Sequence, residues 1–359
     1  MHINIFCFFS FVAMIYSFVS CHSACQTEWL QTVVIEKALD PIKLKAEVVK
    51  ESQFFFNAKN FSMCNDSVMV VLNKPSGKNS FVVFHNIKRD ESIAEFIRLG
   101  RANNEMLNCS AHIKDNLLLV KDFVKNNLAI INIDSVLVYG SDYEVNDFIK
   151  FGNTIGSGFV TQYDSNRLIM LNPYCFTNKD MRIDNKQPRF IVLENDITPP
   201  LEYNDELYFT FNVTQGPIIT NKNKNRVIYA SSSLSEIEIY DFDLDPVKKI
   251  FGPIELTPTY RVSDGKDISF DKIVPYSYMS SYYNEDYFYL TYVGEYFHRN
   301  DKLENFDSYI LKFDWDGNLV ETYHSPEYIY SLYWSEINNS FYGRGFNDGE
   351  IILWKLNIE

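Results

Sequence analysis

The chain has 359 residues, 46% hydrophobic and 16% aromatic, with 47 acidic against 33 basic residues and a formal net charge of −14. That balance, with no run of Lys and Arg, excludes a surface that tracks nucleic-acid phosphates. No Pro/Gly/Ser-rich linker or low-complexity block divides the sequence, so residues 31–359 read as one large domain rather than several.

In chain order, the first element is the apolar run from Ile3 to Val19, with no charged residue before Glu28. It reads as a signal peptide over residues 1–20 and is short for a membrane span. Phe18-Val19-Ser20-Cys21 resembles a bacterial lipobox, with an apolar residue at −3 and a small one at −1. The resemblance implies that Cys21 is the lipidated mature N-terminus and that residues 21–30 form an anchor and linker. Cleavage a few residues later, giving an ordinary secreted protein, is the alternative. Cys25, Cys64, Cys109 and Cys175 have neither CxxC nor metal-type spacing, which leaves open both a Cys64–Cys109 bridge and buried free thiols.

Further along, a polar turn followed by an apolar or aromatic strand recurs six times. The turns are Asn65-Asp66, Asp115-Asn116, Ser165-Asn166, Asn223-Lys224-Asn225, Asn284-Glu285-Asp286 and Asn338-Asn339. Their spacing of about fifty to sixty residues is the length of one four-stranded propeller blade. Strands follow each turn at Val68–Leu72, Leu117–Val120, Leu168–Leu171, Val227–Ala230, Tyr287–Leu290 and Phe341-Tyr342. Partner strands come next at Phe81–Phe84, Leu128–Ile131, Phe190–Leu193, Ile237–Tyr240, Tyr309–Phe313 and Ile351–Trp354. Two insertions, 172–189 and 291–308, separate members of a pair. Outer strands with one wet face are expected at Ile93–Ile97, Val145–Ile149, Val247–Phe251 and Leu319–Tyr323. Strands before the turns, such as Ser110–Ile113, Phe159–Gln162 and Tyr328–Tyr333, should line a central channel. The fold class is therefore all-β, a six-bladed β-propeller. Its last unit stops at Leu356 without an outer strand, and Thr32–Lys37 is expected to supply one and close the ring.

Phe96-Ile97-Arg98-Leu99-Gly100-Arg101, followed by Asn103-Asn104-Glu105, resembles a segment of the TolB-like six-bladed propeller proteins of Bacteroidetes. Phe313-Asp314-Trp315-Asp316-Gly317-Asn318 is similar to their F-D-x-D-G-N hairpin, a type that also recurs in NHL-class propellers. With the lipobox-like start, the resemblance covers nearly the whole mature chain. It implies a propeller fold and an outer-membrane lipoprotein of the bacterial cell envelope, periplasmic or surface-facing, with no assigned activity.

Among the chemistry-bearing residues, Asp314-Trp315-Asp316-Gly317-Asn318 and Asp241-Phe242-Asp243-Leu244-Asp245 lack the distal ligands of a calcium loop and read as hairpin turns, with Gly317 at positive φ. No HxH, HExxH, Gly-x-Ser-x-Gly or Walker pattern is present, so no metal, cofactor or catalytic set is called. Ligand-binding candidates are Arg98, Arg101, Asn104 and Glu105 in the loop after the first outer strand, His112 on a channel-lining strand, and Tyr276, Tyr278 and Tyr328, whose rings can stack on a sugar. The expected function is a lipid-anchored module that binds a glycan, a peptide or an envelope protein. The alternatives are a polysaccharide lyase or hydrolase using channel residues and an assembly scaffold.

Overall fold

The computed structural model describes residues 29–35, 40–50, 55, 58–74, 80–150, 160–164, 167–172, 174–177, 183–184, 189–194, 208–210, 212–263, 267–298 and 301–359. The leader, Cys21, Cys25, the Cys175 side chain and the Ser165-Asn166 turn lie outside the described residues.

Strands β1 (Gln31–Val34) and β2 (Ile42–Lys50) precede the first repeat. The first antiparallel meander is β3 (Ala58–Met63), β4 (Val68–Asn73), β5 (Ser80–Asn86) and β6 (Glu91–Arg98). The second is β7 (Cys109–Lys114), β8 (Leu117–Asp122), β9 (Asn127–Asn132) and β10 (Asp147–Lys150), with a short helix α1 (Ile133–Tyr139) before its last strand. In the third, β11 (Val160–Gln162) and β12 (Arg167–Leu171) are separated in sequence from β15 (Phe190–Glu194) by β13 (Tyr174–Thr177) and β14 (Ile183–Asp184). β13 lies between β14 and β16 (Tyr208–Phe209) and pairs antiparallel with both. The fourth meander is β17 (Ile218–Asn221), β18 (Arg226–Ala230), β19 (Glu236–Tyr240) and β20 (Pro246–Phe251), followed by a hairpin of β21 (Tyr260–Val262) and β22 (Ile268–Phe270). The fifth is β23 (Ile273–Tyr283), β24 (Tyr287–His298), β25 (Ser308–Asp314) and β26 (Leu319–Ser325), and the sixth is β27 (Ser331–Ser335), β28 (Ser340–Asn347) and β29 (Glu350–Ile358).

Local chemistry explains the hairpins. Asp115, Asn225 and Asn339 have φ of 54°, 56° and 47°, a left-handed conformation that Asn and Asp tolerate best after Gly. Asn65 Oδ1 accepts from the Ser67 and Val68 amides at 2.9 and 3.0 Å, and Asn284 Oδ1 from Asp286 and Tyr287 at 3.1 and 2.9 Å. These carboxamides do the work of a backbone turn, which is why polar residues recur there. Gly317 has the expected positive φ, 72°. The Asp314 carboxylate accepts from the Asp316 and Asn318 amides at 3.0 and 2.8 Å, and Asp241 accepts from those of Asp243 and Asp245 at 3.0 and 2.9 Å.

Sheets pack face to face in sequence order. Val70, Phe84 and Phe96 of the first meet Leu118, Val120 and Ile131 of the second, whose other face brings Leu119 and Leu128 against Met170 and Ile191 of the third. Similar cores join the third to the fourth and the fourth to the fifth. The fifth and sixth share Ile310, Tyr323, Phe341 and Leu356, and the sixth meets the first where Tyr342 and Leu353 touch Phe61, Met69 and Val71. Central strands buried on both faces account for the unbroken apolar runs such as Val68–Leu72. The first strands of the meanders also contact one another: β7 with β11, β11 with β17, β17 with β23, β23 with β27, and β27 with β3.

Two expectations are corrected. Thr32–Ile35 do not add to the last sheet. Gln31–Val34 instead pairs in parallel with β20 of the fourth, Thr32 lying opposite Lys249, and Glu36 and Lys37 lie outside the described residues. The strand beside β29 is β2, antiparallel from Leu44↔Ile358 to Lys50↔Leu353, with a two-residue parallel contact to β26. Leu44 and Ala46, two residues apart, supply an inward face, with Leu44 buried and Ala46 packed on the same core, whereas β1 is exposed over most of its length. The second correction concerns 291–308: residues to His298 continue β24 and pair with β23, so only the segment around the Leu303–Asn305 turn is a connection.

Candidate functional site

Where the first strands meet lies a cavity of about 610 Å³ lined from β3, β7, β11, β17, β23 and β27, with residues of the second strands behind them, Lys121 of β8 and Arg344 of β28 among these. Side chains alternate along a strand, so Ser110 and His112 of β7 share one face, with Lys114 beyond them. His112 is half-buried on the cavity wall, and burial, with Lys114 nearby, pushes its pKa down to about 4. Its imidazole is therefore neutral near pH 7 and makes no side-chain hydrogen bond among the described residues.

One end of the cavity is cationic. Lys59, at the start of β3, is exposed and donates to Asn108 Oδ1 and the Cys109 carbonyl, both at 2.8 Å. Its Nζ lies 5.8 Å from the Phe123 ring centroid, and Lys121 Nζ lies 6.0 Å from the same ring. Lys121 is only 3% exposed, and burial pulls its pKa down to about 8. Arg344 is 6% exposed and stacks 4.2 Å from the Tyr330 centroid. Its Nη1 donates to Asn60 Oδ1 at 2.5 Å and to the Lys59 carbonyl at 3.3 Å, and its Nε has no partner among the described residues. Burial lowers the Arg344 pKa, with Tyr330 acting in the opposite sense. Thr161 is also on the cavity wall, and its hydroxyl is buried without a partner among the described residues.

The other end is aromatic and contains its own counter-charge. Lys114 donates to the Thr220 carbonyl at 2.7 Å and to the Tyr283 hydroxyl, and pairs with Asp115 at 3.1 Å. Tyr283 donates to Asp115 Oδ1 at 2.6 Å, and Tyr333 donates to Asp66 Oδ1 at 3.4 Å. Tyr282 packs edge-on against Tyr333 with centroids 5.4 Å apart.

Of the ligand-binding candidates named from the sequence, His112 alone lines this cavity. Arg98 at the end of β6 and Arg101 and Asn104 in the turn after it are exposed, outside the lining. Glu105 closes that turn: its Oε2 accepts from the Ala102 amide at 2.9 Å and its carbonyl from Lys125. Tyr278 and Tyr328 are both 0% exposed, Tyr278 donating to the Gly252 carbonyl at 2.6 Å and Tyr328 sitting between Phe297 and Phe346. Tyr276 is half-buried against Phe297, with centroids 4.1 Å apart. These rings serve packing rather than an open stacking surface. Cys64 and Cys109 are free, and burial raises the Cys64 thiol to about 12, so neither bridge nor reactive thiolate forms there.

The chain matches no family model and no curated protein. Among solved structures, a DUF4221 family member from Bacteroides vulgatus is similar over 90% of this chain and 98% of its own, at 11% identity and a TM-score of 0.56. A Bacteroides fragilis protein described as exported matches over 91% and 99% at 11% identity, with a TM-score of 0.48. The β-propeller domain of Cps50 (Swd1) from Myceliophthora thermophila matches over 83% and 98% at 11% identity, with a TM-score of 0.36. The likeness to the Bacteroides vulgatus structure, at this identity, bears on the fold alone. The packing of sheets in sequence order, first strands innermost, is that of a β-propeller.

Proposed function

We propose that the protein is a six-bladed, TolB-like β-propeller that binds a ligand, of glycan or peptide type, in its central channel. The six meanders serve as blades, and β2 completes the sixth. The observation that carries the reading is the cavity of about 610 Å³, within the range of small-molecule sites and lined by polar and aromatic side chains on rigid strands. Binding is preferred to catalysis because His112, the one channel imidazole, has neither a hydrogen-bonded carboxylate nor a nucleophile among the described residues. The lipobox-like Phe18–Cys21 supports attachment to a bacterial envelope membrane by a lipid on Cys21, which is the setting the Bacteroidetes resemblance implies.

The test is a glycan and peptide array probed with the purified protein and with Ser110→Trp, which fills the cavity from β7. Hits of the wild type should vanish in the variant while its circular dichroism and melting stay unchanged. Binding that survives in a folded Ser110→Trp protein would place recognition elsewhere on the surface and overturn the channel reading.

A further inference from the structure

We infer that the cationic end of the channel takes an oxyanion: the carboxylate, sulfate or phosphate group of the ligand seats between Lys59 and Arg344, beside Lys121. The inference rests on the channel-binding reading and adds the chemical class. In a chain of net charge −14, three cations converge at one end of one cavity. The partners seen for Lys59 and Arg344 are neutral, namely a carboxamide oxygen and a backbone carbonyl for each. Lys59 and Arg344 carry no carboxylate ion pair among the described residues, unlike Lys114, which Asp115 pairs at the opposite end.

A buried guanidinium is costly to desolvate unless its donors are met, and Arg344 Nε has no partner among the described residues. Stacking on Tyr330 holds the guanidinium plane rigid at the cavity wall, where its charge is fixed in place for an anion. Lys59 stands exposed at the rim, where it meets the anion first. The aromatic end, with Tyr282 and Tyr333, is left for the uncharged body of the ligand.

Sodium sulfate, as the bare oxyanion, is the probe, titrated calorimetrically into the full-length protein at fixed ionic strength with chloride as the control. Sulfate also stabilises proteins generally by exclusion from their surfaces, so the readout is the difference between wild type and variant. Saturable heat and a rise in melting temperature beyond that in chloride are expected for the wild type, with affinity weakened about tenfold or more in Lys59→Met and in Arg344→Gln. Lys59 is exposed, so its variant keeps the test valid if Arg344→Gln folds poorly. No saturable sulfate heat in the wild type, or equal affinity in Lys59→Met, overturns the inference. If array binding is nonetheless lost in Ser110→Trp, the channel reading stands and only the oxyanion class falls. If Ser110→Trp keeps its array hits while sulfate binding depends on Lys59, the oxyanion site stands and the channel reading falls.

Discussion

His112 shows how burial turns one residue into a pH sensor of the fold. An unfolded His takes its proton near pH 6.5, whereas in the cavity wall it does so only near pH 4. Between these values the unfolded chain binds more protons, so stability rises with pH across that window and falls as pH drops through it. The loss from this group should reach up to about 3 kcal/mol at pH 4 and be absent above pH 7. Urea titrations of wild type and His112→Gln at pH 7 and pH 4.5 check it: the variant should lose clearly less stability between the two. An equal loss in both would mean that His112 is not desolvated. The residue was legible in sequence because β7 precedes a polar turn and so had to line the channel. The cations were not. Lys59, Lys121 and Arg344 come from the first, second and sixth sheets, and nothing local joins residues so far apart along the chain. The available signals were Lys121, a charge directly after the apolar run Leu117–Val120, and the Gly343-Arg344-Gly345 triplet within a strand. A Cβ at Gly345 would approach the Tyr328 carbonyl to 2.5 Å, so this strand needs glycine where backbones press together.

At the scale of elements, turns were easier to read than partners. A hairpin is set by a few neighbouring residues, so Asn65, Asp115, Asn225, Asn284 and Asn339 declared themselves. Helix α1 did not, being only seven residues long, although Asn132 caps it by accepting from the Ser135 amide at 2.8 Å. The strand that joins the last sheet was misassigned because Thr32–Lys37 and Ile42–Lys50 are both β-rich, and only tertiary packing decides between them. β2 wins by its inward face: Leu44 is 4% exposed and shares a core with Ile310, Tyr323 and Leu356. Leu44→Ala should therefore cost about 2–5 kcal/mol, the range for emptying a buried leucine site. Val48, on the same strand but 47% exposed, is the control, and its change to Ala should stay within about 0.5 kcal/mol. Denaturant midpoints decide it. Equal, small effects at both positions would show that β2 is not held in the sixth sheet in solution.

For the whole molecule, neighbouring sheets share cores around the chain, so no sheet can bury its faces alone, and a rigid frame of this kind leaves its central cavity preformed. Function then depends on where the frame is held. The described chain starts at Trp29, whose ring packs 5.1 Å from that of Tyr240 in β19, and β1 then runs along β20. Trp29 stands eight positions after Cys21, a reach of at most about 28 Å when fully extended. A lipid on Cys21 would thus keep the fourth sheet within a short tether of the bilayer, attached by the side of the molecule. A single acyl chain holds a protein only weakly, so stable attachment requires the multiple chains of a lipoprotein-type modification. Metabolic labelling with an alkyne fatty acid should tag the wild type and leave it in the membrane fraction, while Cys21→Ala should lose the tag and be released with its fold and sulfate binding intact. An untagged wild type would sink the anchor without touching the cavity, because the tether and the cationic end share no residue.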